Sequence, residues 1–211
     1  MVIKKEKNNN KKWLIITGFL LFFIGVSLLA FNVYQKINLD TEEKNAIKNF
    51  YIEEDNNKKD DSIEEPQEEK KEVKSNNKIN YIALLKIPKI NLERGLVDRN
   101  SYLNNINYNV EILKDSSSPD EKNGNVILAA HSGNARVSYF RKLDKLTVND
   151  EIIIIYNGKT YTYTVVNIYD IEKNGAAKII RNKNASSITL VTCRHNTNNQ
   201  IIVIGELINV Y

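Results

Sequence analysis

The chain has 211 residues, enough for one domain of ordinary size together with an anchor and a linker. Its formal net charge is +4, but five lysines lie in the first twelve residues, and without them the balance is slightly acidic. The charge therefore argues against nucleic acid as a partner. The single cysteine, Cys193, excludes an internal disulfide and leaves a lone thiol whose role has to be explained.

The N-terminal part is predicted to cross a membrane. Residues 13–35 contain no charged side chain, and as a helix at about 1.5 Å per residue they span roughly 34 Å, more than the ~30 Å hydrocarbon core of a bilayer. Trp13 and Tyr34 stand at the two ends, where interfacial aromatic residues are common. A cleaved signal peptide is the alternative, but its apolar region is normally only ~7–15 residues long, and 30–33 make a poor cleavage site.

The charges that flank this span predict its orientation at the cell membrane. Lysines precede it in 1–12 and an acidic stretch follows it, which indicates a cytoplasmic N-terminal tail and an extracellular C-terminal part. Residues 36–77 are dense in both charge signs and poor in large apolar side chains, which predicts a flexible linker with at most a short helix around 46–52. A folded domain is then expected over 78–211, able to fold without the preceding residues.

The C-terminal domain is predicted to be all-β. Short runs rich in Ile, Val, Tyr and Thr alternate with Asn, Asp and Gly, and the predicted strands are 81–87, 90–97, 125–130, 151–156, 159–171, 187–192 and 201–210. Asn157-Gly158 lies between two of them and is a strong signal for a tight hairpin. Short helical turns are predicted at 102–106 and 139–143. Many strands with few helices indicate a closed or nearly closed barrel.

Cys193 and His131 are the candidate reactive residues. Each ends an apolar run where a predicted strand gives way to a polar loop, and rigid scaffolds often present catalytic groups at such points. A thiolate is a nucleophile that a neighbouring imidazole can activate. By position alone a lone cysteine such as Cys193 is more often a small buried apolar residue, although an exported thiol is a liability unless it is used. One cysteine and two histidines, with His195 two residues after Cys193, lack the spacing of zinc ligands, so no metal is expected.

An ordered set of motifs resembles the sortase family of cysteine transpeptidases. In chain order, the motifs are IPKI at 87–90, VILAAHSG at 126–133, FRKLDKLTVND at 140–150, TLVTC at 189–193 and VIGEL at 203–207. TLVTC resembles the TLxTC box around the family's nucleophile, and VILAAHSG resembles the strand that ends in its catalytic histidine. The third motif resembles FxxLxxLxxGD, with Asn149 where Gly is usual. The resemblance covers about residues 80–211.

The resemblance implies a closed eight-stranded β-barrel with short helices and a site made of cysteine, histidine and arginine. Cys193 would attack the threonine carbonyl of an LPxTG-like sorting signal on a surface protein, and His131 would protonate the leaving amine. The acyl-enzyme would then pass to an amine acceptor such as a cell-wall precursor. The resemblance implies no cofactor.

The chain departs from the family at the arginine. Its usual position, a few residues before the V-x-G segment of the last strand, carries Gln200, and no arginine follows Arg194. Gln200 would donate neutral hydrogen bonds to the oxyanion, or Arg194 would supply the charge, or the protein would be a degenerate sortase that binds sorting signals without turnover. We favour Gln200. A cysteine peptidase, which releases the acyl-enzyme to water, is a further alternative, and His195 is expected to be a loop residue.

Overall fold

The computed structural model describes residues 9–59, 79–174 and 178–211. Helix α1 spans Asn9–Lys59, and two three-residue 3₁₀ helices lie at Pro88–Ile90 and Leu143–Lys145. The strands are β1 (Tyr81–Ile87), β2 (Leu92–Val97), β3 (Glu111–Ile112), β4 (Asn125–Ala129), β5 (Glu151–Tyr156), β6 (Lys159–Glu172), β7 (Ser187–Cys193) and β8 (Asn199–Val210).

The eight strands form one curled sheet in the order β2-β1-β5-β6-β8-β7-β4-β3. Its neighbouring pairs are antiparallel except β4 and β7, which run parallel. The edge strands β2 and β3 approach each other through side chains: Arg94 Nε of β2 donates to Asn109 Oδ1, and Arg99 just after β2 donates to the carbonyl of Ser116. The eight-stranded barrel that the resemblance implies is confirmed, and it is nearly closed.

The barrel interior is packed with large apolar side chains. Those with no exposed area in the main core are Leu85, Ile87, Leu128, Phe140, Leu143, Ile152, Ile154, Ile188 and Leu190. β4 and β7 are buried on both faces, with buried residues at nearly every position. This explains why NVILA shows an apolar run rather than the alternation of a half-exposed strand. In SITLVTC, the buried hydroxyls of Ser187, Thr189 and Thr192 form hydrogen bonds to neighbouring groups.

The sequence predicts seven of the eight strands to within two residues of their observed ends. It does not predict β3, because two residues carry too little periodicity to be recognised. Asn157 and Gly158 both have positive φ, 50° and 72°, as a tight two-residue hairpin requires. Asn149 has φ 75°, a left-handed conformation that glycine adopts readily and asparagine tolerates. The usual glycine at that position of the family motif therefore has a conformational reason.

The N-terminal part of α1 is long and apolar enough to cross a membrane. Its candidate span begins at Trp13, and the apolar side chains of this part are exposed. The chain up to Asn45 forms one compact unit, and the chain from Ala46 onward forms a second unit that contains the barrel.

Within the second unit, the last turns of α1 pack against the outer face of β1 and β2. Ala46 and Phe50 are buried in one cluster with the three barrel residues Tyr81, Leu84 and Val97. The sequence allows a short helix around 46–52, but it gives no signal of this packing, which depends on a barrel face that is distant in sequence.

A polar group borders this apolar cluster. Tyr51 Oη donates to Glu93 Oε1 at 2.7 Å and accepts from Lys86 Nζ at 3.1 Å.

Helix α1 extends as far as Lys59, into a segment for which the sequence predicts a linker. The rest of that predicted linker, 60–77, lies outside the described residues.

These contacts predict that a chain beginning at Ile79 is less stable than one beginning at Asp40. Removing the end of α1 exposes Leu84 and Val97, which are 0% and 2% exposed, and burying such a side chain contributes about 1.5–3 kcal/mol. Thermal unfolding should show a lower Tm for the shorter chain by several degrees.

Matched substitutions in the longer chain separate packing from chain length. Phe50→Ala should lower the Tm, whereas Ile52→Ala, on the same helix but 48% exposed, should leave it within a degree or two. Equal melting temperatures for the two truncated chains would contradict the proposed contribution of α1.

Candidate active site

The parallel pairing of β4 and β7 brings Cys193 and His131 together. Ala129 at the end of β4 lies opposite Val191 of β7. Two residues further along both chains come His131 and Cys193. Because adjacent parallel strands run about 4.8 Å apart, the two chain positions lie at the same end of the barrel.

Hydrogen bonds fix this register next to the two residues. Thr192 Oγ1 donates to the carbonyl of Ala130 at 2.6 Å, and the amide of Ala130 donates to the carbonyl of Val191 at 3.3 Å. The amide of Phe140, whose ring is fully buried in the core, donates to the carbonyl of His131 at 3.0 Å. The backbone that carries the imidazole is thus attached both to β7 and to the core.

Cys193 lies on the outer face of the barrel wall. Side chains alternate between the two faces of a strand, and Leu128 and Leu190 point into the main core. Ala129 and Val191 therefore face outward, and Cys193 shares that face. Cys193 is a free thiol of intermediate exposure, as is fitting for a nucleophile that a substrate must reach.

A groove of about 670 Å³ runs along this outer face. Its floor consists of Ile127, Ala129 and Val191, with Leu113 and Ile179 on its sides. Gln200 stands at the end that carries the thiol. Charged residues also line the groove, namely Glu111, Asp115 and Lys173. An extended peptide bound in this groove would lie on an apolar floor with charged residues around it.

Tyr169 holds residues 178–180, which lie between β6 and β7, by two hydrogen bonds. Its Oη donates to the carbonyl of Lys178 at 2.8 Å and accepts from the amide of Ile180 at 2.8 Å. Ile179, between these two residues, packs against an apolar cluster that includes Val191. The groove wall is thus held in place by a side chain of the barrel itself.

Gln200 is the direct cross-strand neighbour of Cys193. The two residues are paired in the antiparallel ladder of β7 and β8, and such pairs share a face with Cβ atoms about 4.5–5.5 Å apart. Gln200 is half-buried and lines the groove. The residue at the family's arginine position thus stands beside the thiol, as the resemblance predicts for that position.

Arg194 is engaged elsewhere. Its Nε lies 2.6 Å from Oδ2 of Asp170 on β6, and its second terminal nitrogen donates to Oδ1 of the same carboxylate at 2.7 Å. The hydrogen bond that Arg194 donates to this carboxylate raises the pKa of Arg194 above its usual value. The amide of Arg194 also donates to the carbonyl of Asn199, and His195 is exposed in the turn between them.

Asn107 contacts His131 and was missed by sequence reasoning. Its Oδ1 lies 3.3 Å from Nε2 of the imidazole. In the tautomer with the proton on Nε2, the amide oxygen accepts it and leaves Nδ1 as the free base. Asparagine is abundant in the loop before β3, so the sequence offers no signal that distinguishes Asn107 from its neighbours.

Arg94 ties together the two loops that flank His131, and it too was missed. It is only 6% exposed, and its guanidinium carbon lies 4.1 Å from the ring centroid of Tyr139, in the loop that follows His131. Its Nε donates to Asn109, two residues from Asn107. In β2 the residue before Arg94 is Glu93, and such a pair of charges gives no sequence signal of these contacts.

The chain belongs to the sortase family, because a family model for the sortase domain matches residues 85–208. Sortase D of Bacillus subtilis strain 168 is 29% identical over 111 residues, which cover 53% of each chain. The chain thus spans about half the length of this curated relative. The family recognised from the motifs is confirmed.

Solved sortase structures share the fold. A sortase D5 transpeptidase of Clostridium perfringens is 25% identical, with 80% of this chain and 99% of that chain covered and a TM-score of 0.57. Sortase C1 of Streptococcus agalactiae is 27% identical, with 64% and 71% covered and a TM-score of 0.55. Within the described residues, no group of three His, Cys, Asp or Glu side chains could hold a metal ion.

The pairing of the two strands predicts that His131 controls the reactivity of Cys193. In the full chain, His131→Ala should slow alkylation of Cys193 by iodoacetamide at neutral pH about tenfold, because an adjacent imidazole can accept the thiol proton as the sulfur attacks. His195→Ala is the matched control and should leave the rate unchanged, since His195 is exposed in the following turn. Equal rates for the two variants, measured by mass spectrometry, would contradict the proposed pairing.

Proposed function

We propose that the protein is a membrane-anchored cysteine transpeptidase. It cleaves an LPxTG-like sorting signal at the C-terminal end of a surface protein and transfers that protein to an amine at the cell wall. The observation that carries this proposal is the register of β4 and β7, which brings the chain positions of His131 and Cys193 to one end of the barrel, where Gln200, the cross-strand neighbour of Cys193, lines a groove. Membership of the sortase family and the transpeptidase named among its solved relatives support it.

The first half-reaction forms a thioester. The leucine and proline of the signal lie on the apolar floor of the groove, which brings the threonine carbonyl to Cys193. His131 takes the proton of the Cys193 thiol as the sulfur attacks the carbonyl carbon, and the peptide bond that follows threonine breaks. His131 donates a proton to the departing amine, so that the downstream peptide leaves as a neutral amine.

The second half-reaction releases the surface protein. An acceptor amine attacks the thioester carbonyl and gives up a proton to His131, and the sulfur of Cys193 leaves. The product is a new amide bond between the threonine carbonyl and the acceptor. Water as the acceptor would give a carboxylic acid instead, which is the outcome expected of a cysteine peptidase.

Charge that develops on the carbonyl oxygen in both half-reactions needs hydrogen-bond donors. The side-chain amide of Gln200 occupies the position next to Cys193 where the family usually has arginine. A neutral donor gives a weaker hydrogen bond to an oxyanion than a guanidinium does. The enzyme should therefore be active but slower than a relative that retains the arginine.

The same replacement favours a second candidate function, a degenerate sortase that binds sorting signals without turnover. The last strand carries Gln200 where the family usually has arginine. The other candidate cation, Arg194, is paired with Asp170. Acylation of Cys193 separates the candidates, because a pure binding module forms no thioester.

The apolar part of α1 supports a location at the cell membrane. We propose a single pass over 13–35, with residues 1–12 in the cytoplasm and the barrel outside the cell. The barrel would then meet both the surface proteins to be sorted and the wall precursors that accept them.

The proposed function predicts a covalent intermediate on Cys193. Full chain in detergent is incubated with LPxTG-type peptides, with and without triglycine, and products are measured by mass spectrometry. An acyl-enzyme on Cys193 and a triglycine-dependent ligation product are expected. Full activity of Cys193→Ala would refute the mechanism, and a hydrolysis product that triglycine does not divert would identify a peptidase.

Variants at Gln200 are predicted to change the rate of acylation in opposite directions. Gln200→Arg should raise it about fivefold to tenfold, because a charge-assisted hydrogen bond is roughly 1 kcal/mol stronger than a neutral one. Gln200→Met, of similar length but without a donor, should lower it. Arg194→Ala should change it by less than about threefold, and a larger loss there than in Gln200→Met would assign the oxyanion contact to Arg194.

A further inference from the structure

The charged residues that line the groove are separated by sign. Glu111 of β3 and Asp115, just after β3, lie on one side, whereas Lys173 directly follows β6 on the other. In the sheet order, β8, β7 and β4 stand between β6 and β3. We call Glu111 and Asp115 the acidic side of the groove. A peptide in the groove therefore has carboxylates along one side and an ammonium group on the other.

The charges also differ in their position along the groove. Lys173 is at the thiol end, because its amide donates to the carbonyl of Asn198, in the segment that leads into β8, at 3.0 Å. Glu111 is paired with Ala129 of the floor. Asp115 is farthest from the thiol, because β3 runs antiparallel to β4 and so leads away from that end. The groove thus has its cation at the thiol end and its carboxylates farther along.

The turn that carries Asp115 is fixed by hydrogen bonds. The amide of Leu113 donates to the carbonyl of Ile127 at 3.0 Å, and the amide of Ile127 donates to Ser116 Oγ at 2.9 Å. Arg99 donates to the two backbone carbonyls on either side of Asp115, at 3.1 and 2.6 Å. The backbone that carries this carboxylate therefore does not have to be ordered when a ligand binds.

The Asp115 carboxylate is available to a ligand. Its side chain is exposed, and among the residues that the structure describes none forms an ion pair with it. Glu111 is half-buried, and its Oε2 accepts a hydrogen bond from the amide of Ile106 at 3.2 Å. Carboxylates of one sign along a groove with an apolar floor attract a basic group. A lysine or arginine of a bound peptide would therefore be favoured at this place.

The register of the strands indicates which residue of the signal lies level with Asp115. Its turn is bonded to Ile127, which is four residues before His131, and the position of His131 is level with that of Cys193. Four residues of a strand span about 13 Å, and an extended peptide has the same rise. The residue four positions before the threonine therefore lies level with the turn. In an LPxTG-like signal, this is the residue immediately before the leucine.

We propose that the acidic side of the groove selects sorting signals that carry a lysine or arginine immediately before the leucine. The basic group pairs with the Asp115 carboxylate, and Glu111 adds a second negative charge on the same side. A glutamate at that place in the signal is repelled, since Lys173 is at the opposite end of the groove. This inference rests on the proposed transpeptidase function and adds the charge of the substrate that the groove accepts.

The test uses three LPxTG-type peptides that differ only in the residue before the leucine, which is lysine, glutamine or glutamate. Acylation of Cys193 in the full chain in detergent gives a KM for each peptide. At an ionic strength of about 0.1 M, the KM of the lysine peptide should be about fivefold lower than that of the glutamate peptide, with the glutamine peptide between them. At about 1 M, the ratio should fall below about twofold, because salt screens exposed charges.

A charge reversal shows whether Asp115 is responsible for the preference. Asp115→Lys should reverse it, so that the glutamate peptide has the lower KM, and Asp115→Asn should weaken it. Asp120→Lys is the matched control, because Asp120 is exposed later in the same connection and is not part of the groove lining. It changes the net charge of the protein equally and should keep the preference for lysine. All three variants should keep their melting temperature, since both carboxylates are exposed.

A binding experiment keeps the two proposals distinguishable. Titration of Cys193→Ala with fluorescent forms of the same peptides needs no turnover, and fluorescence anisotropy should give the same order of affinities. This order without any acyl-enzyme in the unmodified protein would refute the transpeptidase alone. An acyl-enzyme that forms with equal KM values for the lysine and glutamate peptides would refute the charge selection alone. A preference for lysine that survives Asp115→Lys would also overturn the charge selection.

Discussion

The parallel pairing of β4 with β7 is the constraint on which the site depends. It joins two segments that are about sixty residues apart in the chain, and it aligns the ends of both strands at one end of the barrel. Side chains alternate in strict period two, so a slip of one residue would turn either the imidazole or the thiol into the core. The hydrogen bond from Thr192 to Ala130 secures the register at the point where it matters for chemistry.

Most of the barrel and part of the candidate site could be predicted from the sequence. Strand runs, the Asn157-Gly158 turn and the ends of the strands before His131 and Cys193 are local patterns, and local patterns can be read from one chain. Asn107 and Arg94 act through partners from other elements, and the helical packing of Phe50 depends on a face of β1 and β2. Such contacts exist only after the barrel has formed, which is why no local sequence pattern predicts them.

The electrostatics at the end of the groove differ from those the family motif would provide. Gln200 brings hydrogen-bonding capacity beside the thiol without a positive charge, while the nearby guanidinium of Arg194 is matched by the carboxylate of Asp170. Preorganised dipoles can stabilise an oxyanion in a site shielded from water, although less strongly than a fixed cation. This arrangement makes the reaction depend more on positioning of the carbonyl than on attraction of charge.

The short β3 has a consequence for how the barrel moves. Because two residues cannot form a long ladder, β2 and the segment around β3 are joined by side chains, chiefly Arg94 and Arg99. We expect the barrel to open first at this seam between β2 and β3, at a free energy below that of global unfolding. Since Asn109 belongs to the seam and Asn107 touches His131, brief openings there would release the imidazole of His131 from its partner while the long ladder of β6 and β8 stays intact.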